Sequence, residues 1–221
     1  MISVNVDWVS QILDEFKVKE CEGDPYKLIQ MLELEFYEHR IGFDIEPRPI
    51  YGRGIFKDES SFKAGICGAE WHGYDAEVIM IIYLSKKVSK FNKVDSNFIN
   101  RLQEVIAHEL VHAEQTKMSK TSSIGYCDDD DFMYFSDSHE IQAVAVEAEM
   151  QLLRINSDVD ELIKMIQTTP HELYTSDRFR LYKEFMKEEP AFTPFHNRFM
   201  TVLIKRLQRR KHGISSISRM C

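Results

Sequence analysis

The chain has 221 residues, 43% hydrophobic and 29% charged, with a formal net charge of −8. That size and composition suit one globular domain with a real core. The acidic balance argues against wholesale nucleic-acid binding, and no apolar run is long enough to span a membrane as a helix. The N-terminus, Met1 to Asp7, has neither a basic n-region nor an apolar h-region, so a cytoplasmic protein of the producing or host cell is expected. Cys21, Cys67, Cys127 and Cys221 are scattered without a CxxC pair, which predicts free thiols and no cysteine metal site.

Residues 6–20 read as a helix facing inward through Trp8, Ile12, Leu13 and Phe16. Asp24-Pro25 opens a second helix, with Asp as cap and Pro at its first position; it stops near Gly42, and His39 near its end reads as a cap-region cation. Pro47, Pro49 and several glycines punctuate residues 45–75. Between them lie β-like runs at Arg48 to Tyr51, Phe62 to Trp71 and Glu77 to Leu84. The last is apolar nearly throughout and suits a buried strand. His72 reads as a surface residue of the turn between the second and third runs.

A helix follows from Ser96, a fair N-cap, with no Pro or Gly in the next twenty residues. Ile99, Leu102, Ile106, Leu110 and Ala113 form its apolar stripe. It carries His108-Glu109-Leu110-Val111-His112, an HExxH motif. Two histidines four apart stand one above the other on a helix, so both imidazoles can reach one zinc ion. The glutamate after the first then faces the open coordination position, where it can act as a general base toward water. The motif alone is not decisive, since about 3 in 100 shuffled chains of this composition would contain it. Context adds weight: at about 100° per residue, His108 and His112 lie roughly 120–160° from the stripe, which predicts one buried face and two histidines aimed into a cleft.

Residues 119–135 connect this helix to the next, longer than most connections and so a candidate functional loop. The run Asp128 to Asp131 lacks the ligand alternation of a calcium loop and reads as solvated. A second helix, Ser138 onward, buries Ile141, Ala145, Ala148, Leu152 and Ile155. A catalytic zinc site needs a third protein ligand. The pattern HExxHxxGxxH is absent, because Gln115 and Met118 stand where Gly and His are required. Glu140, His139 and Glu147 on the second helix are the alternatives, each chemically acceptable to zinc.

His108-Glu109-Leu110-Val111-His112 followed by Glu140-Ile141-Gln142-Ala143 resembles the HExxH…ExxA arrangement of glutamate-zincins (gluzincins). The wording around both segments is also loosely similar to small metallopeptidases encoded by tailed bacteriophages. The resemblance covers residues near 100–150. It implies an α+β, zincin-like fold: a small twisted, mainly antiparallel sheet before an active-site helix, with additional N- and C-terminal helices. It implies zinc held by His108, His112 and Glu140, Glu109 as base, and a peptide or protein substrate hydrolysed by activated water. An edge strand in 62–71 or 76–84 would pair with the substrate backbone. The chain departs from the family at Val144, where gluzincins carry an aspartate that orients a ligand histidine. Asp137, a backbone carbonyl or an acid of the 128–131 run would have to serve instead. A non-catalytic binding or regulatory protein is the other reading that this departure leaves open.

Residues 158–168, 171–189 and 194–211 read as three further helices divided by Pro170 and Pro190. Lys205, Arg206, Arg209, Arg210, Lys211 and His212 are cations at a helix C-terminus, where the dipole favours them. Tyr126, Tyr134, Tyr174 and His196 are candidates to hold the carbonyl oxygen of a substrate. The expected organisation is a single domain: helical residues 1–44, a sheet over 45–90, metal-binding helices over 96–156 and C-terminal helices over 158–212.

Overall fold

The apolar run Val78 to Leu84 lies in strand β3 (Glu77–Ser85), the middle member of a three-stranded sheet of order β1-β3-β2. A central strand satisfies its backbone on both sides, and a continuous apolar run suits burial of both its faces. β1 (Ile41–Arg48) runs parallel to it, from Ile41 opposite Val78 to Arg48 opposite Ser85. β2 (Ile66–Tyr74) runs antiparallel, from Tyr74 opposite Glu77 to Ile66 opposite Leu84, and its register shifts between Ile66 and Gly68, where Cys67 is the extra residue. This is a computed structural model that describes residues 27–28, 30, 41–48, 66–74, 77–85, 96–119, 131–173, 176–188 and 190–212. The helix expected over 6–20, His39, Tyr126, Tyr174 and the run 128–130 lie outside them. Lys27, Leu28 and Gln30 are helical, with Leu28 fully buried.

The expected α+β, zincin-like fold with a mainly antiparallel sheet is corrected. The residues whose side chains are described, chiefly 96–115 and 133–212, are 93% helical and contain no strand. The strands, defined by their backbone pairing, form a mixed sheet, with β1 parallel to the centre. Three local readings change with it. Ile41 and Gly42, where a helix was expected to stop, begin strand β1, which ends at Arg48; the rest of the run expected at 48–51 lies outside the described residues. The segment 76–84 is central rather than an edge, so no substrate strand can add to it. His72 lies within the β2 ladder opposite Ile79, not in a turn.

The helices are α1 (Ser96–Ser119), α2 (Asp131–Ser136), α3 (Ser138–Ile155), α4 (Val159–Thr168), α5 (Asp177–Glu188) and α6 (Thr193–Lys211), with 3-10 turns at Pro170–Leu173 and Pro190–Phe192. Among the described residues, no helix is long and apolar enough to cross a membrane. The chain packs as two compact units, Met1–Glu114 and Gln115–Cys221, the division falling within α1. The first contains the sheet. In the second, α3 packs on α5 and α6, burying Ile141, Ala145, Ala148 and Leu152; Ile155, expected in that stripe, is 45% exposed at the helix end. An aromatic cluster fills this unit: the Tyr182 ring stacks on Phe199 with centroids 4.2 Å apart and meets Phe135 edge-on at 6.0 Å.

Aspartates set the starts of two helices. Asp137 caps α3 and Asp158 caps α4, each from an extended backbone with its carboxylate accepting two N–H groups of the first turn. α5 is anchored by Gln151 of α3, whose Oε1 accepts from Ser176 Oγ at 2.7 Å and from the Arg178 N–H at 3.1 Å.

Candidate metal centre

α1 is covered on every side along its middle: each residue from Leu102 to Val111 is buried. The expected single apolar face with a cleft beside it is therefore corrected. Gln103, Glu104, Glu109 and Glu114 are buried along with the apolar stripe. Such a helix needs partners for its polar groups. Arg101 Nη1 supplies one by donating to Glu104 Oε2 at 3.3 Å.

The helical spacing of four brings His108 and His112 together as expected. Their Nε2 atoms face one another at 3.1 Å, and the ring planes are inclined at 70°. Nitrogens bound to one zinc ion at about 2.0–2.1 Å and the tetrahedral angle would lie about 3.3 Å apart, so the pair is spaced as two ligands of one ion are. Glu140, on the first turn of α3, completes the group: His108, His112 and Glu140 each offer a ligand atom, all within 4.8 Å of one another. His108 and Glu140 are buried and His112 is partly exposed. The donor set of two imidazoles and one carboxylate fits a metal ion, zinc among others.

The rival ligands are otherwise placed. Glu147 Oε2 accepts from Arg178 Nε at 2.5 Å, in a buried ion pair. His139 is beside Glu140 in sequence but does not join the group; its carbonyl accepts from Gln115 Nε2 at 3.3 Å. Glu109 is 8% exposed, and its Oε1 lies 4.0 Å from His108 Nε2. That is too long for a hydrogen bond but places a carboxylate beside the atom that faces His112.

Asp137, a candidate partner for a ligand histidine, is instead committed to the helix start. Its Oδ1 accepts from the N–H groups of His139 at 2.6 Å and of Glu140 at 3.3 Å. Val144, at the position where the resemblance implies an orienting aspartate, is 1% exposed. Of the candidates for holding a carbonyl oxygen, Tyr134 is half-buried on α2, two turns of chain before Glu140, its ring edge-on to Phe135 at 4.8 Å. His196 lies on α6, where burial holds its imidazole below the ordinary 6.5; a hydrogen bond with Asn197 acts upward and the Lys183 charge downward.

Sequence reasoning missed the roles of Asp137 and Gln115. Asp137 and Glu140 stand in the D-x-x-E spacing of a capping box, a legible signal. Gln115 had no local signal, since its partner is a carbonyl of another helix. Comparison of the chain with protein-family models, with curated proteins and with solved structures finds no match.

Proposed function

We propose that this chain is a zinc-dependent peptide hydrolase whose ligand set is of the gluzincin type. The observation that carries the reading is the convergence of His108, His112 and Glu140, with Nε2 atoms 3.1 Å apart and the Glu109 carboxylate alongside. Among the described residues the group has three protein ligands, the count of catalytic zinc sites, and His112 gives it a partly exposed side. A bound zinc ion would supply a Lewis acid that polarises a peptide carbonyl and acidifies water. The chain's own part is then proton handling. Glu109 takes a proton from attacking water at Oε1 and returns it to the leaving amine, a role for which its position beside His108 suits it.

Val144 favours a second reading, in which metal is held without turnover. The apolar residue at that position cannot orient a ligand imidazole, and fold or metal alone does not make an enzyme. One experiment separates the two. Zinc content is measured for wild type, Glu140→Ala and Glu109→Gln, and cleavage is followed with a broad peptide library. Hydrolysis predicts one zinc per chain in wild type and Glu109→Gln, loss of zinc in Glu140→Ala, and cleavage by wild type alone. Stoichiometric zinc with no cleavage by wild type would support the second reading; undiminished cleavage by Glu109→Gln would reject that residue as base.

A further inference from the structure

The geometry points to Asp137 as a positioning residue for the metal ligand Glu140, acting by a capping box that is only half closed. Glu140 stands at the third position of α3 and Asp137 at its cap. In a complete box the cap side chain takes the N–H of the third residue, and that residue's carboxylate returns to the N–H of the cap. Here the first half is made: Asp137 Oδ1 accepts from Glu140 N at 3.3 Å and from His139 N at 2.6 Å. The second half is made by another group. The Asp137 N–H donates to the carbonyl of Tyr134, on α2, at 3.2 Å. That carbonyl stands in for the glutamate, so the Glu140 side chain is not drawn back onto the helix start and its ligand atom stands with His108 and His112.

The backbone of this turn is held from further sides. The His139 carbonyl accepts from Gln115 Nε2, and the Tyr182 hydroxyl donates to the Phe135 carbonyl at 3.2 Å, fixing the end of α2 that presents Tyr134. Asp137 thus fixes the backbone of the very residue whose side chain is to meet the metal, while α2 relieves that side chain of capping. The role rests on the zinc site proposed above, and it concerns affinity for the ion rather than the chemistry.

The test is zinc affinity by competition with a chromophoric chelator, alongside the urea midpoint of the metal-free protein. Asp158, which caps α4 through the same pair of bonds at 2.9 and 3.1 Å, is the control for a merely structural cap. Asp137→Ala should bind zinc about 10- to 100-fold more weakly, the usual effect of losing a group that orients a ligand. Asp137→Asn, which keeps a capping oxygen, should stay within a few-fold of wild type. Asp158→Ala should lower the urea midpoint and leave zinc affinity unchanged. Should Asp137→Ala fail to fold, Asp137→Gly, which helix starts tolerate better, should show the same loss of affinity. Unchanged affinity in folded Asp137→Ala or Asp137→Gly, or an equal loss in Asp158→Ala, overturns the positioning role alone. A wild type that binds no zinc removes the metal site, and this role with it.

Discussion

Burying a carboxylate costs several kcal/mol unless a cation meets it inside the protein. α3 buries Glu147 and Glu149, and each has such a cation. Arg178 Nε donates to Glu147 and Arg206 Nε to Glu149, both at 2.5 Å, with Arg210 3.9 Å from the second oxygen of Glu149. The Glu147 side chain is 3% exposed, so removing its partner would leave a charge that water barely reaches. Arg178→Met should therefore destabilise the protein by about 3 kcal/mol, read as a lower urea midpoint at pH 7. Adding Glu147→Leu should recover most of that loss, because an apolar pair of similar volume removes the need for compensation. A double variant no more stable than Arg178→Met would show that the arginine acts through packing and not through the buried charge.

The elements that carry the site show what a sequence can and cannot disclose. The residues of α1 and α3 announce themselves through apolar spacing, and HExxH puts two imidazoles on one face by helical geometry alone. That Glu140 stands with the two histidines was legible from the phase of its motif. The all-round burial of α1 was not, because nothing local marks Gln103, Glu104 and Glu114 as polar side chains that the fold covers. The partners of Glu147 and Glu149 were hidden as well, lying 31 and 57 residues downstream. The parallel pairing of β1 with β3 leaves no local mark, and α2 is a short helix inside what reads as a loop. What fastens α2 is Tyr182 of α5, through its ring and through its hydroxyl on Phe135. Burial first, then the charge of Glu140, raises that hydroxyl well above its ordinary value of 10.0, with Arg178 acting downward. The folded state thus retains a proton that the unfolded chain releases above pH 10. The stabilising effect is complete below pH 10 and is lost as pH rises through the folded value. Tyr182→Phe should cost about 1 kcal/mol at pH 7 through the lost hydrogen bond, yet lose less stability than wild type above pH 10. Parallel alkaline limbs in the two proteins, followed by chemical denaturation, would show that Tyr182 does not carry that dependence.

At the scale of the whole molecule, C-terminal cations among the described residues pair with carboxylates of other helices. Arg206 and Arg210 turn inward to the buried Glu149, whereas Lys211 pairs at the surface with both oxygens of Asp160 at 2.8 Å. Around the candidate metal centre the buried carboxyl groups of Glu109 and Glu140 lie close to two imidazoles, a set of groups that suits a divalent cation. The ligand atoms come together only when the chain is folded, since Glu140 is remote in sequence from the HExxH motif. Zinc should then bind the folded state far better than the unfolded one, and stability should follow the free zinc concentration. At one hundred times its dissociation constant the ion would add about 2.7 kcal/mol. Thermal unfolding in excess chelator should therefore occur well below unfolding in buffered zinc, with the midpoint climbing as free zinc is raised. His112→Ala should flatten that climb, because two ligands cannot hold the ion as three do. The same zinc-dependent rise in His112→Ala as in wild type would mean that the ion stabilises the protein from some other place.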